Sequence, residues 1–182
     1  LSRKTSRRAI RILSAAASAA LGAASNTTGA GVVVSDAASL ELQNNITVGA
    51  EALTLTGAGF NGTGALRNLS GNNTYGGTVT LNASGPTAVI QSDSGLLTLS
   101  NASAVSATAR DFIVRGNGNT TISGTIATTS GTLTKTGTGI LTLGGANSYT
   151  GTTFVSGGVL RLANAATSSS NAFDSTGTSN IS

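Results

Sequence analysis

The chain has 182 residues, with six carboxylates, Asp36, Glu41, Glu51, Asp93, Asp111 and Asp174, many hydroxyls, and neither His nor Cys. Acid–base chemistry would have to run on carboxylates alone, and no imidazole or thiolate is present to activate or act as a nucleophile. Two carboxylate pairs merit a test as a glycoside-cleaving dyad, Asp36 with Glu41 and Asp93 with Asp111. Their spacings of 5 and 18 residues place neither pair on one strand face, so they read as solvated charges. Metal sites built on Cys or His are excluded by composition. Calcium-binding nonapeptides need an Asp after the glycines, and Gly57-Ala58-Gly59 and Gly116-Asn117-Gly118 lack it. Gly62-Thr63-Gly64 and Gly137-Thr138-Gly139 are not followed by the Lys-Thr and helix of a phosphate loop, so they read as corners. The expectation is a protein that is not an enzyme, with no catalytic, cofactor-binding or metal-binding residue.

Tyr75 and Tyr149 are the ligand-contact candidates. They stand in matching contexts, Asn73-Thr74-Tyr75-Gly76-Gly77-Thr78 and Asn147-Ser148-Tyr149-Thr150-Gly151-Thr152. An exposed ring repeated along a rod would stack on sugar rings; the competing reading is a ring packed over a turn. Thr-x-Thr pairs at Thr54/Thr56, Thr78/Thr80 and Thr132/Thr134 are what any solvated strand face shows. Nucleic acid is an unsuitable partner. Five of the ten basic residues lie within the first eleven positions, and beyond them five basic residues face six acidic ones, leaving no basic footprint.

The elements that must carry these residues are short strands. Aromatics make up 3% and charged residues 9% of a chain rich in Gly, Ala, Ser, Thr and Asn, which suits thin repetitive sheets with tight turns rather than a close-packed globule. From residue 31 onward, runs alternate apolar with Thr, Ser or a charge, the period-2 signature of a half-buried strand. They fall at Val32-Val34, Leu40-Leu42, Ile46-Val48, Ala52-Thr56, Thr78-Leu81, Ala88-Gln91 and Leu96-Leu99. Seven more follow at Phe112-Arg115, Thr120-Ser123, Thr125-Ala127, Thr132-Lys135, Ile140-Leu143, Thr152-Val155 and Val159-Leu162. No run shows helical periodicity, and no apolar stretch approaches the length of a membrane helix.

The strands recur. Leu53-Thr54-Leu55, Leu97-Thr98-Leu99 and Leu141-Thr142-Leu143 are spaced 44 and 44 residues apart, implying stacked coils of about 22 residues. Gly62-Thr63-Gly64-Ala65-Leu66 returns as Gly137-Thr138-Gly139-Ile140-Leu141 at an offset of 75, and the two tyrosine segments return at 74. One such coil buries too little apolar surface to offset its ordering entropy, so it is stable only when stacked.

With these residues in view, Ser130 to Ala165, SGTLTKTGTGILTLGGANSYTGTTFVSGGVLRLANA, resembles the autotransporter-associated β-strand repeat of type V secreted passenger proteins. It follows the pattern G-x-L-T-K-x-G-x-G-x-L-T-L-x-G-x-N-x-Y-x-G-x-T-x-V-x-x-G-x-L-x-L, with departures at Phe154 and Gly158. Leu40 to Leu81 is similar to a longer variant of the same repeat. The resemblance implies an all-β, right-handed parallel β-helix (β-solenoid), an open-ended piece of an exported protein held to the outer membrane by a barrel or anchor outside this segment. It further implies a surface or secreted passenger acting as structural stalk or adhesin, with extracellular glycans or host or neighbouring cell surfaces as partners. The alternative is a scaffold segment of a carbohydrate-active β-helix enzyme, which would gather carboxylates on one long face.

Residues 25–167 are assigned to the solenoid repeats and 168–182 to the start of a further, truncated repeat. Residues 1–24 have two readings. Ile10-Arg11-Ile12-Leu13-Ser14-Ala15-Ala16 echoes Leu160-Arg161-Leu162-Ala163-Asn164-Ala165-Ala166 at an offset of 150, favouring a preceding partial repeat. Ser6-Arg7-Arg8 before an Ala-rich stretch is instead similar to a twin-arginine export signal.

Overall fold

Alternation puts the apolar residues of a run on one face and, as a rule, its Thr, Ser or charge on the other, and three such faces must close on one another to leave water. A computed structural model, which describes residues 10–12, 31–163 and 180–181, shows how they do so. The described chain is an all-β solenoid of about six turns, with parallel strands in three sheets.

The eight-stranded sheet stacks Ile10–Ile12, Leu40–Leu42, Leu66–Asn68, Ala88–Ser92, Phe112–Arg115, Leu133–Lys135, Thr153–Val155 and Asn180–Ile181. The six-stranded sheet runs from Thr47–Val48 through Asn72–Tyr75, Leu96–Leu99, Asn119–Ile122 and Ile140–Leu143 to Val159–Leu162. The five-stranded sheet holds Val32–Val34, Leu53–Leu55, Val79–Leu81, Val105–Ser106 and Ile126–Ala127. From Leu40 to Ala127 the chain visits the eight-, six- and five-stranded sheets in turn, one strand of each per coil; the coil that follows goes from Ile140–Leu143 to Thr153–Val155 without a strand in the five-stranded sheet. No helix among the described residues is long and apolar enough to cross a membrane. Among the described residues the helical geometry is a single 3-10 turn at Phe60–Gly62.

Parallel register places like above like, and the core is a set of columns. Leu40, Leu66, Ile90 and Val114 are successive partners in one wall. Val48, Tyr75, Leu99, Ile122 and Leu143 are partners in the second. Val32, Leu53, Val79, Val105 and Ile126 line the third. Apart from Val32, these side chains are almost wholly buried and form one continuous cluster. On the outer face of the six-stranded sheet, Thr47, Thr74, Thr98, Thr121 and Thr142 stack as an unbroken threonine column.

Coils are closed by glycines that lie over glycines. A Cβ added to Gly139 would press into the Gly118 carbonyl, and one on Gly145 into the Gly124 carbonyl. Successive corners approach closely because neither coil carries a side chain there.

All fourteen expected runs carry strands, within a residue or two at their ends. Between residues 31 and 163 three strands were not anticipated: Leu66–Asn68, Asn72–Tyr75 and Val105–Ser106. The coil of about 22 residues needs correction. Leu40, Leu66 and Ile90 succeed one another at 26 and 24 residues, whereas Phe112, Leu133 and Thr153 do so at 21 and 20. The early coils are longer because they carry extra corner residues, among them the turn at Phe60–Gly62. The 44-residue echo therefore marks two coils only in its second interval, where Leu97–Leu99 and Leu141–Leu143 share the six-stranded sheet. Leu53–Leu55 lies in the five-stranded sheet. Likewise, in the 75-residue echo Leu66 and Leu141 occupy different sheets. The readings of residues 1–24 and 168–182 lie outside the described residues, except for Ile10–Ile12 and Asn180–Ile181.

Candidate functional site

The outer face of the eight-stranded sheet carries a ladder of linked charges. Its register aligns Glu41, Arg67, Gln91 and Arg115 in one outward column. Arg67 donates from Nη1 to Glu41 at 3.0 Å and from Nε to Asp93 at 2.8 Å, joining the coils below and above it. Burial pulls the Arg67 guanidinium towards neutrality, but its bonds to Asp93 and Glu41 prevail and raise its pKa above the ordinary value. Gln91 donates from Nε2 to Asp93 at 2.6 Å and accepts from Arg115 Nε at 2.7 Å. Arg115 also donates from Nη2 to the Gly62 carbonyl, reaching back over two coils to the 3-10 turn.

A groove of about 320 Å³ opens beside this ladder, lined by Gln91, Asp93, Arg115, Asn117 and Thr136 among others. Its floor is the upper part of the outward column and its wall the corner between the eight- and six-stranded sheets.

The described carboxylates Asp36, Glu41, Asp93 and Asp111 do not converge on a shared substrate position. Glu41 and Asp93 are tied to Arg67. Asp111 caps a strand edge, accepting from the Thr132 amide at 2.7 Å, and Asp36 lies against Gly57 at another corner.

The two tyrosines are inside. Tyr75 is 0% exposed, between Val48 and Leu99 in the inner column of the six-stranded sheet. Its hydroxyl has no hydrogen-bond partner among the described residues, and burial, reinforced by the charge of Glu51, pushes the phenol well above its ordinary pKa. Tyr149 is 4% exposed and shares a 2.8 Å hydrogen bond with the Thr153 hydroxyl. Burial raises its pKa too. Neither ring offers a face to a sugar, so the packed alternative describes both. Nor are the two positions equivalent: three coils above Tyr75 the register reaches Leu143, six residues short of Tyr149. What the two segments share is local. Asn73 Oδ1 accepts the Ile46 amide at 2.7 Å and Asn147 Oδ1 accepts the Ile126 amide at 2.9 Å, each reaching the preceding coil. Asn-x-Tyr is thus a portable unit in which the Asn caps a backbone donor and the Tyr fills the core beside it.

Alternation also drives a lysine inward. Lys135 occupies the inner column between Val114 and Val155 and is 2% exposed. Its Nζ donates to the carbonyls of Thr136, Gly137 and Gly157 at 2.7, 3.0 and 3.1 Å. Burial lowers the Lys135 pKa below the ordinary lysine value. The amine ties off three corner carbonyls, the third belonging to the next coil. On the same corner lower down, Asn68, Asn73 and Ser92 form a buried hydrogen-bonded cluster instead.

Residues 133–162 match the family model of the passenger-associated-transport-repeat. This is the stretch whose motif resembles the autotransporter passenger repeat, and its motif positions now have physical roles. Leu133 and Leu141 fill the core, Lys135 ties the corner carbonyls, Gly139 and Gly145 let coils approach, and Asn147 and Tyr149 form the cap-and-fill unit. No curated protein matches the chain, and no solved structure does.

Proposed function

We propose that this segment is part of an exported passenger and serves as a non-enzymatic stalk at the cell surface, with its flanks available for adhesive contacts. The observation that carries the reading is the uninterrupted stacking of one core through about six turns, joined to the passenger-repeat match at residues 133–162. A stalk needs a shape that persists along its length and is indifferent to how many coils it contains, and in-register stacking supplies both. Contacts with partner surfaces would be many and individually weak. The scattered, internally tied carboxylates add no support to a cleaving enzyme.

The test is surface display of the parent protein in bacteria with an epitope on the corner at Thr138. The epitope should be reachable by antibody on intact cells, and deletion of two whole coils should shorten the projection without abolishing export. An epitope accessible only after cell lysis would overturn the reading.

A further inference from the structure

We infer that the groove beside Arg115 binds a carboxylate-bearing sugar unit, an assignment that rests on the flank of the rod facing the medium. The pattern of ion pairs along the ladder singles out Arg115. Glu41 and Asp93 are both engaged by Arg67, while Arg115 is held by two neutral acceptors, Gln91 Oε1 and the Gly62 carbonyl. Among the described residues its guanidinium is therefore fixed in position without an ion pair, and its Nη1 has no acceptor. A fixed guanidinium edge is the natural seat of a carboxylate.

The other lining groups select for hydroxyls around that carboxylate. Asp93 is an acceptor with a partly exposed side chain. The Asn117 side-chain oxygen accepts from the Thr138 hydroxyl at 3.0 Å, which leaves its amide to donate, and Thr136 lines the groove alongside. One cation flanked by a carboxylate acceptor, an amide and a hydroxyl matches an acidic monosaccharide. A bare dianion such as sulfate gains the cation but meets the Asp93 carboxylate with two charges and no donor, whereas an acidic sugar meets it with one charge and hydroxyls that donate to it. No aromatic residue lines the groove, so a neutral sugar would have no stacking platform. The volume, about 320 Å³, is at the small end of ligand clefts and suits one sugar unit of a longer chain.

The test titrates the 182-residue chain with a glucuronate-containing tetrasaccharide, the same tetrasaccharide with its carboxylates reduced to alcohols, and sodium sulfate, following the Arg115 and Asn117 side-chain NMR signals. The acidic sugar should give saturable shifts. Reduction of the sugar, or Arg115→Gln, should weaken binding about tenfold or more, and Asn117→Ala should weaken it while leaving the β-sheet circular dichroism intact. Arg161→Gln, outside the groove, should bind as the parent does. Equal binding of the reduced sugar, sulfate binding as strongly as the sugar, shifts insensitive to both groove substitutions, or no shifts at all would each overturn the assignment. Any of these results with normal surface exposure of the rod would leave the stalk reading standing, whereas loss of exposure would sink the stalk without bearing on the titration.

Discussion

Lys135 shows how a single residue can answer to two rules at once. The Leu133-Thr134-Lys135 alternation places the lysine on the same face as Leu133, and the corner beyond it supplies three carbonyls for the amine. Substituting Lys135→Met keeps the stem and removes the donor, and should cost about 1–3 kcal/mol in denaturant unfolding. The pH dependence has a definite sign. Because folding lowers the Lys135 pKa, the burial penalty is present in full below the folded value. It is relieved as pH rises towards the unfolded value of about 10.4, so the parent should gain stability over that window relative to Lys135→Met. The tyrosines act the other way: their raised folded values give stability that is lost as pH climbs above about 10. The difference between parent and variant isolates the lysine, and a flat difference would contradict the buried amine. The inward lysine was legible in the alternation. The burial of Tyr75 was not, because Asn72–Tyr75 is polar apart from its last residue and gives no apolar rhythm to identify it as a strand.

Strands and corners obey different constraints, and substitutions should separate them. Leu97 is an inner-column residue with no exposure, so Leu97→Ala should cost about 2–5 kcal/mol. Thr121, the partner one coil on of the neighbouring Thr98, belongs to the outward threonine column, and Thr121→Val should change stability by no more than about 0.5 kcal/mol. Thermal or urea melts would show the contrast, and equal effects would contradict the assigned faces. At the corners, Gly139 is required by the close approach of Gly118, and Gly139→Ala should cost about 1–3 kcal/mol by overpacking. Gly62 has open space but φ of +72°, so Gly62→Ala should cost about 1–2 kcal/mol through backbone strain alone. Only the first should weaken the neighbouring coil, read as faster amide exchange there. Strand positions were readable because alternation is a property of the strand itself. Which sheet each strand joins was not, because that depends on the number of corner residues in between. Corner length varies from coil to coil, which is why the 44- and 75-residue echoes cross between sheets. The groove was hidden for the same reason: Gln91, Arg115 and Asn117 meet only once the register is known.

For the whole molecule, the columns make stability a property of the stack. The described coils touch their neighbours above and below and share a core that no single coil could sustain. Removing whole coils from the carboxy-terminal side should lower unfolding free energy in roughly equal steps, together with the denaturant slope. A peptide limited to one coil, such as 112–132, should show no sheet signal by circular dichroism. A sheet spectrum from that peptide would contradict the dependence on stacking.

The ladders of all three sheets bond each coil to the next, so their hydrogen bonds run along the long axis of the rod. Tension applied between the ends pulls directly on those ladders and meets one interface at a time, opening the weakest while the others stay closed. Each coil of 20 to 26 residues that peels away releases up to about 70–90 Å of extended chain. Under drag, such a segment would act as a series of mechanical fuses, lengthening in steps and limiting the load that reaches whatever it is attached to.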